Sequence, residues 1–442
     1  NYPDYKLYKV EQKYRSTKVI VQAANSINKK NKDQIEKKVW TDNIEGEKLK
    51  VVRTLSDNEE GKAIANSIYE IKNNENTSFK DFAILYRTNA QSRSFEESLR
   101  RLNIPYKIYG GLSFYQRKEI KDLLSYFRLI ANHNDEEAFK RVINYPKRGI
   151  GKTSINNLII AASQENKSLW EVANSLSQNT LGINKGTVSK ISDFCTMIQS
   201  FTVRLETENA YDLGKEIATS SGILRDLYAD KTPEGVSRYD NIQELLNGLK
   251  EFTDQDEGID IQPTLSDFLI DVALLTNADN DKEEDLNKVV MMTIHSAKGL
   301  EFPYVYIVGL EENLFPSQMS LTTRSDLEEE RRLFYVALTR AEKQATLSYA
   351  TSRYRWGSLI NCEPSRFIDE IDPKFLDQET IVSPRKQASS SERKSGFEMK
   401  FNKPAATLPN MKKVSATSSS GGGSDNKNMV VGVNVRHAKF GK

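Results

Sequence analysis

The chain has 442 residues and a net charge of +2 at pH 7, and 38% of its residues are apolar and 28% charged. One hydrophobic core does not extend over so long a chain, so two or three domains are expected. The small net charge excludes a protein that is basic over its whole surface, and a nucleic-acid site therefore has to be a local patch.

The two cysteines, Cys195 and Cys362, lie far apart, and the chain has only three histidines. This excludes a disulfide framework and argues against a cysteine- or histidine-based metal site, so no metal ligand is predicted. Few cysteines are typical of a reducing compartment, and we expect a cytoplasmic protein. No apolar run reaches the ~20 residues that span a bilayer, so no membrane partner is expected.

The first part of the chain, residues 1–115, alternates short apolar runs with helical periodicity, which is typical of α/β structure. A capping box at Ser56-Asp57-Asn58-Glu59 marks one helix start. The predicted elements, in order, are a strand near 8–10, a helix from about 17, a strand at 49–55, a helix after the capping box, a strand at 82–86, a helix at 91–102 and a strand at 106–109.

From about 116 to 278 the chain shows almost only helical periodicity, beginning with Leu123, Leu124, Phe127 and Ile130. This predicts an all-helical insertion into the α/β domain. Besides the helix that contains those four residues, the candidate helices are 135–143, 151–164, 168–176, 185–207, 237–252 and 264–275.

Residues 279–380 return to α/β structure and are predicted to complete the same parallel sheet. Apolar runs at 289–294, 304–308 and 345–349 alternate with a helix, whose start is predicted by the capping box Ser325-Asp326-Leu327-Glu328. Charged residues and glycines follow these runs. Because ligands bind at the carboxyl ends of strands in open α/β sheets, we expect the binding site at that edge.

The composition changes again after 380. Residues 381–428 are basic and rich in serine and glycine with few large apolar side chains, which predicts a disordered linker. Residues 429–442 begin with Met429-Val430-Val431 and are predicted to start a small β domain.

Three segments resemble motifs of superfamily-1A DNA helicases of the UvrD, PcrA and Rep type. Residues 293–302 read TIHSAKGLEF and resemble motif V, 329–341 read EERRLFYVALTRA and resemble motif VI, and 110–119 read GGLSFYQRKE and resemble motif IVa. The resemblance extends from residue 9 to about 372. It implies a RecA-like second motor lobe of the P-loop NTPase type, interrupted by a helical insertion, with the first residues belonging to the end of a first lobe.

Arg15 and Arg340 are the candidate catalytic residues. An arginine beside the ligand edge of a sheet can fork onto a phosphate and stabilise charge on a transferred phosphoryl group. The alternative is a surface ion pair with a nearby glutamate. The resemblance implies that both arginines reach the γ-phosphate of ATP, that Tyr14 stacks on adenine and that Glu301 holds the ribose, although Glu301 could instead pair with Lys298. Lys13 stands where the family usually has asparagine.

The candidates for single-stranded DNA binding lie near strand ends and on the motif V loop. Single strands are bound by cations on phosphates and by aromatic side chains on bases. The resemblance implies this role for Arg87 and Asn89 after the 82–86 strand and for His295, Ser296 and Lys298 on the loop. Trp356 follows Arg353, Tyr354 and Arg355, and it is a candidate for base stacking. The alternative for this last run is a surface strand with one buried face.

The sequence at 149–153, Gly-Ile-Gly-Lys-Thr, looks like the end of a P-loop. A P-loop needs a glycine where this chain has Pro146, and the segment follows a helix, so ATP binding is excluded there. Backbone N–H groups at a helix start with nearby cations can bind a DNA phosphate. The segment resembles the Gly-Ile-Gly motif that the family uses on duplex DNA, which makes Lys147, Arg148, Gly149, Ile150 and Gly151 candidates; the alternative is an ordinary turn.

The resemblance implies the C-terminal half of an ATP-dependent 3′→5′ DNA helicase of repair or replication, with ATP and Mg²⁺ as cofactors. The P-loop and the Mg²⁺ ligands are expected on a first lobe, because no G-x-x-x-x-G-K-[ST] occurs here. The abrupt start at Asn1 indicates a fragment, which is predicted to be inactive alone. Expected partners are single-stranded DNA, single/double-strand junctions and, through a Tudor-like C-terminal domain, RNA polymerase or repair proteins.

Two other functions stay open at this point. One is a DNA-binding module without enzymatic activity that derives from a helicase; loss of the phosphate arginines would support it, but Arg15 and Arg340 are both present. The other is a recombination helicase subunit of the RecB/AddA type. No cluster of nuclease carboxylates follows Asp372, which argues against this second alternative.

Overall fold

The computed structural model describes residues 11–32, 38–176, 182–254, 262–277, 286–355 and 357–378. The predicted strand near 8–10, Trp356, the linker at 381–428 and the β segment at 429–442 lie outside these residues. The described residues belong to one compact unit that extends over residues 1–385.

A seven-stranded sheet, parallel throughout, organises the chain. Its strands are β1 (Leu49–Thr54), β2 (Phe82–Tyr86), β3 (Tyr106–Ile108), β4 (Val289–Thr293), β5 (Phe302–Ile307), β6 (Ala341–Ala350) and β9 (Leu376–Gln378). They pair in the order β3-β4-β2-β5-β6-β1-β9. A separate antiparallel hairpin joins β7 (Ser352–Arg355) to β8 (Ser358–Asn361). The predicted parallel α/β sheet is therefore confirmed, and residues beyond the helical segment complete it.

In the first α/β part the described residues form three α-helices, α1 (Lys18–Asn28), α2 (Asp57–Asn74) and α3 (Ser92–Arg101). The elements described between β3 and β4 are helical: α4 (Lys118–Ala131), α5 (Glu136–Val142), α6 (Lys152–Glu165), α7 (Leu169–Asn174), α8 (Lys185–Thr202), α9 (Ala210–Ser220), α10 (Ile223–Ala229), α11 (Pro233–Asp254) and α12 (Leu265–Asn277). They bury a hydrophobic core of their own, which includes Phe127, Phe139 and Leu249.

The sequence did not predict α9 and α10. The cap of α9 is Asn209, whose side chain accepts from the Asp212 N–H, and α10 begins directly after Gly222. Each helix is short, and α10 has only two buried residues, Ile223 and Leu227. Two apolar positions give α10 a weak helical period, and packing against α11 supplies what the local pattern lacks. The α9 helix buries six residues, so this reason does not extend to it.

The sheet is covered on both faces. On one face α1, α13 (Arg324–Leu338) and α14 (Arg366–Asp369) pack against alternate strand residues such as Ala83 and Leu85. On the other face α2 and α3 pack against Phe82 and Ile84. Because neighbouring residues of a strand point to opposite faces, a strand buried on both sides is apolar throughout, as β2 is. No helix among the described residues is long and apolar enough to cross a membrane.

Two predicted helix starts differ from the structure in detail. The Ser56 side chain accepts from the Glu59 N–H as expected, but the Glu59 carboxylate accepts from the Leu55 N–H instead of the Ser56 N–H. The prediction at Ser325 is wrong, because the cap of α13 is Thr323, whose hydroxyl accepts from the Asp326 N–H. A threonine two residues upstream offers the same capping chemistry as serine, and the sequence alone does not choose between them.

Candidate nucleotide and DNA sites

The residues predicted to contact a nucleotide meet where β5 and β6 begin. Glu301 directly precedes β5 and Arg340 directly precedes β6, and the Phe302 N–H donates to the Arg340 carbonyl at 2.9 Å. The N-terminal segment joins them, since the Ser16 hydroxyl donates to the Ala341 carbonyl at 2.7 Å. This group therefore lies at the amino edge of the sheet. The prediction of a site at the carboxyl edge is wrong for it, because both residues end the crossover connections that lead into these strands.

Arg15 and Glu301 form an ion pair at this amino edge. An Arg15 Nη1 proton is donated to the Glu301 carboxylate, and the side chains are 65% and 20% exposed. The neighbouring Tyr14 is 74% exposed, so its ring is open to a ligand. Glu301 thus pairs with Arg15, and the alternative partner suggested by spacing, Lys298, is wrong. Arg15 therefore forms the surface ion pair that was the alternative to phosphate binding. Its side chain remains exposed to solvent.

Arg340 is held differently, by neutral acceptors. Its guanidinium donates from Nε to the Val336 carbonyl at 3.1 Å, from Nη1 to the Leu300 carbonyl at 3.0 Å and from Nη2 to the Thr339 hydroxyl at 3.2 Å. No carboxylate pairs with it among the residues that the structure describes. Partial burial lowers the pKa of Arg340, yet a guanidinium stays protonated in proteins. An oriented and uncompensated positive charge is suited to an anionic ligand.

The candidates for DNA contact begin at the opposite, carboxyl edge of the sheet. Arg87 follows β2, and its Nε and Nη2 donate to the Glu330 carboxylate at distances from 2.7 to 3.1 Å. Asn89 is exposed two residues further on, and its carbonyl accepts from Arg117 Nη1 at 2.9 Å. Sequence reasoning did not identify Glu330. The motif that contains it was visible, but a glutamate within a helix does not indicate a partner on a distant strand.

The loop after β4 connects this edge to the nucleotide candidates. His295 and Lys298 are exposed, and the Ser296 and Thr293 hydroxyls lie 3.0 Å apart. Partial burial first, and the charge of Arg87 second, lower the pKa of His295, so the imidazole is neutral at pH 7. The loop ends at Glu301. It therefore carries DNA candidates where it leaves β4 and a nucleotide candidate where it enters β5.

Hydrophobic packing fixes this loop against α13. Ile294 and Ala297 of the loop are buried in the same cluster as Phe334 and Ala337 of the helix. The helix contacts Arg87 through Glu330 and ends two residues before Arg340. Two packed elements, one loop and one helix, thus run between the two edges of the sheet.

Arg148 corrects the expectation of two solvent-facing cations at the Gly149 turn. Its guanidinium donates to the Val142 and Tyr145 carbonyls, both at 2.9 Å, and to the Ser221 carbonyl at 3.1 Å. It also lies over the rings of Tyr126 and Phe194. These contacts turn the side chain inward, because carbonyls at the ends of α5 and α9 lie within its reach and an arginine fork can donate to several of them.

The turn itself is built as a helix start with nearby cations. Gly149 has φ +77 and Gly151 caps α6 without a side-chain hydrogen bond, while Ile150 is buried and anchors the turn. Lys147 is exposed. Lys190 was not predicted, although its Nζ lies 2.7 Å from the position that a Cβ would take at Gly149. Lys190 is distant in sequence and on another helix, so no local signal could have identified it.

The fold defines a class of protein, a RecA-like α/β lobe with additional helices. Over residues 8–352 the chain matches the family of the UvrD-like helicase C-terminal domain, and it belongs to that family. The expected resemblance to this group of helicases is thereby confirmed.

Several curated relatives are similar along most of the chain. The "ATP-dependent DNA helicase PcrA" of Leuconostoc citreum is 37% identical over 443 residues, which cover 100% of this chain and 59% of that protein. The protein of the same name from Staphylococcus aureus is 39% identical over 379 residues, 85% of this chain and 51% of the relative. That of Bacillus subtilis is 37% identical over 446 residues, 100% and 58%. The chain spans about half the length of these relatives.

Proposed function

We propose that this chain is the C-terminal half of an ATP-dependent DNA helicase and contributes the phosphate arginines and part of the single-strand track. One observation carries the proposal: Arg340 is fixed in place by three neutral acceptors and has no carboxylate partner in the described ranges. Ordinary surface arginines are mobile or paired. A preorganised charge of this kind is what stabilises a phosphoryl group in the transition state.

The residues present fit ATP. Arg15 and Arg340 supply two guanidinium groups, which bind phosphate oxygens in pairs, and the exposed ring of Tyr14 can cover a base. The Glu301 carboxylate can accept from ribose hydroxyls once Arg15 turns towards a phosphate. Bound ATP with Mg²⁺ would supply the phosphoryl group that is transferred to water. We propose that the P-loop and the Mg²⁺ ligands come from another lobe and that this chain alone does not hydrolyse ATP.

The proposal assigns DNA to two places. Arg87, Asn89, His295, Ser296 and Lys298 contact the single strand at the carboxyl edge, and Trp356 stacks on a base. The turn at Gly149, Ile150 and Gly151, with Lys147, binds the duplex backbone within a helical insertion at 116–278. Movement in the 3′→5′ direction, a role in repair or replication, binding of RNA polymerase or repair proteins by residues beyond 380, and a cytoplasmic location are parts of this proposal.

The test of the nucleotide site is Arg340→Ala in a longer protein that joins this chain to a P-loop lobe. The variant is expected to lower the kcat of DNA-stimulated ATP hydrolysis by about 10³ or more, the usual scale for an arginine finger. Nucleotide affinity should change far less, because the charge that Arg340 meets develops in the transition state. Phosphate release under single-strand saturation measures the first, and a fluorescent nucleotide titration measures the second.

Arg332→Ala is the matched control, because Arg332 lies on the same helix with a 40% exposed side chain that pairs with Glu329. It should leave kcat unchanged. This chain without the P-loop lobe provides the zero-turnover reference. An Arg340→Ala protein with normal kcat would contradict the proposal and favour a DNA-binding module without enzymatic activity.

A further inference from the structure

The ion pair between Arg87 and Glu330 lies at the place where the proposed function puts a DNA phosphate. Both Nε and Nη2 of Arg87 face the Glu330 carboxylate, and Nη1 has no acceptor in the part of the chain that the structure describes. The Glu330 side chain is only 6% exposed, whereas that of Arg87 is 22% exposed. The Glu330 carboxylate is therefore buried, and the Arg87 guanidinium lies between it and solvent.

The surroundings of the pair are open and suited to an anion. His295 lies close enough for the charge of Arg87 to lower its pKa, and it is exposed, as Asn89 is. The backbone N–H of Arg87 donates to Gln91 Oε1 at 3.0 Å, so the main chain under the guanidinium is held in place. The charges of Glu330 and Glu329 both act on His295, and Glu330 is the carboxylate that pairs with Arg87 directly.

We propose that Glu330 is a positioning residue that competes with the DNA phosphate for Arg87. Carboxylate and phosphate both accept the guanidinium fork through two parallel hydrogen bonds, so a strand that takes the fork has to displace Glu330. The inference rests on the proposed function, because it assumes that Arg87 contacts the single strand. It adds that part of the binding free energy is used to break an internal ion pair.

One helix connects the Arg87–Glu330 pair to the residues proposed to bind the nucleotide. Glu330 lies on α13, and Arg340 follows the end of that helix ten residues later, about 15 Å along a helix axis. When the strand takes Arg87, the Glu330 carboxylate loses its cation while still buried, which is costly. A shift of α13 or the entry of water lowers this cost. A shift of α13 also moves Arg340, the residue proposed to hold the phosphate.

The test measures how Glu330→Gln changes the binding of this chain to fluorescein-labelled oligo-dT, by anisotropy at several salt concentrations. Glutamine keeps the size and loses the charge. Affinity is expected to rise about tenfold at low salt, the scale of one additional charge-assisted contact. In the parent, the shift of α13 or the entry of water that follows the loss of Arg87 opens Glu330 to solvent, and the carboxylate then takes up a cation, which cancels one released counterion. The salt dependence of the variant should therefore be steeper by about 0.7.

Three comparisons separate competition from a general effect. Glu328→Gln is the matched control, since Glu328 is a buried glutamate on the same helix and pairs with Arg324 at 2.9 Å; it should change neither affinity nor slope. Arg87→Ala should weaken binding, and Glu330→Gln should have no effect in that background. Arg87→Lys keeps the charge but loses the fork onto both the carboxylate and the phosphate, so Glu330→Gln should tighten binding less in this background than in the parent.

The outcomes also distinguish this inference from the proposed function. If Arg87→Ala weakens binding while Glu330→Gln leaves it unchanged or weakens it, the competition is wrong and the DNA contact stands. If Glu330→Gln tightens binding equally without Arg87, the effect is general electrostatics and the competition is again wrong. If neither Arg87→Ala nor Glu330→Gln alters binding, both the competition and the proposed contact of Arg87 with DNA are wrong. Should Glu330→Gln not fold, as circular dichroism would show, Glu330→Ala takes its place in each comparison, since it also removes the carboxylate.

Discussion

Two basic residues that are neighbours in sequence, Lys147 and Arg148, have opposite roles in the structure. Lys147 is exposed, whereas the Arg148 guanidinium satisfies carbonyls of Val142, Tyr145 and Ser221. A backbone carbonyl that loses its buried donor costs about 1–3 kcal/mol, and an arginine that donates to three of them is a structural residue. Charge alone therefore does not identify a DNA contact at this turn.

Arg148→Ala is expected to lower the free energy of unfolding by about 2–4 kcal/mol, because it removes a charged donor from three carbonyls and an arginine from two aromatic rings. Lys147→Ala should change it by less than about 0.5 kcal/mol, as surface substitutions do. Urea denaturation followed by circular dichroism measures both. Equal stabilities for the two variants would show that the inward contacts of Arg148 contribute nothing.

At the scale of elements, the start of α6 brings three features together. Gly151 leaves the first N–H groups of the helix without a side-chain cap, Lys147 is exposed four residues before it, and Lys190 of α8 approaches Gly149. Free N–H groups at a helix start with cations beside them favour a phosphate. Because these contacts would be made to the backbone of DNA, they carry no sequence information.

We expect Lys147→Ala and Lys190→Ala each to weaken binding of a blunt duplex and to reduce the slope of its salt dependence by about 0.9, one phosphate contact each. Binding of oligo-dT should not change, since its contacts are proposed on the sheet. Lys167→Ala is the matched control, because Lys167 lies beyond the other end of α6 and already pairs with Glu165 at 2.8 Å. Equal losses on both substrates would show that the turn is only a connector.

At the scale of the whole molecule, a buried charge cluster joins the sheet part to the helical segment. Arg93 of α3 pairs with Glu244 and Glu251 of α11, both at 2.8 Å, and Gly248 of α11 leaves room for the guanidinium. Arg353 of β7 pairs with three further carboxylates at distances from 2.6 to 3.4 Å, those of Asp57, Glu60 and Glu311. The cluster contains more carboxylates than arginines, which favours protonation of some of the carboxylates.

Glu251 shows this excess most clearly. Burial first, and the nearby Asp57 second, raise the pKa of Glu251 well above its ordinary value of 4.5, while arginine charges hold the pKa of Asp57 low despite its burial. A carboxyl group with a raised folded-state pKa binds its proton more tightly in the folded chain. Its stabilising contribution is full below pH 4.5 and is lost as the pH rises towards the folded-state pKa.

Glu251→Gln stays neutral at every pH and keeps the size of the side chain. The stability of the variant relative to the parent should therefore increase from about pH 5 to about pH 8, because only the parent loses the contribution of a bound proton. Urea denaturation at both pH values measures the difference. Glu137→Gln, at a 78% exposed side chain, should differ from the parent by less than about 0.5 kcal/mol at either pH. A relative stability of Glu251→Gln that falls with pH would contradict the raised pKa.

The sequence by itself determined the local structure and the family. Apolar runs predicted the sheet strands, since a strand buried on both faces needs apolar residues throughout, and helical periodicity predicted most helices between β3 and β4. The motif segments determined which residues belong to the candidate sites, and the family match supports that choice of family. These signals are readable because periodicity, capping and short motifs act between residues that are close in sequence.

Only the tertiary structure decided which side chains meet and at which edge. Arg15 and Glu301 are 286 residues apart, and Arg87 and Glu330 are 243 apart. Spacing in the sequence suggested Lys298 as the partner of Glu301 and offered none for Arg87. Such pairs form because parallel strands and their crossovers bring distant segments to a shared edge, and the order β4-β2-β5-β6 cannot be read from local pattern. The same long-range packing turns Arg148 inward and places Lys190 beside Gly149.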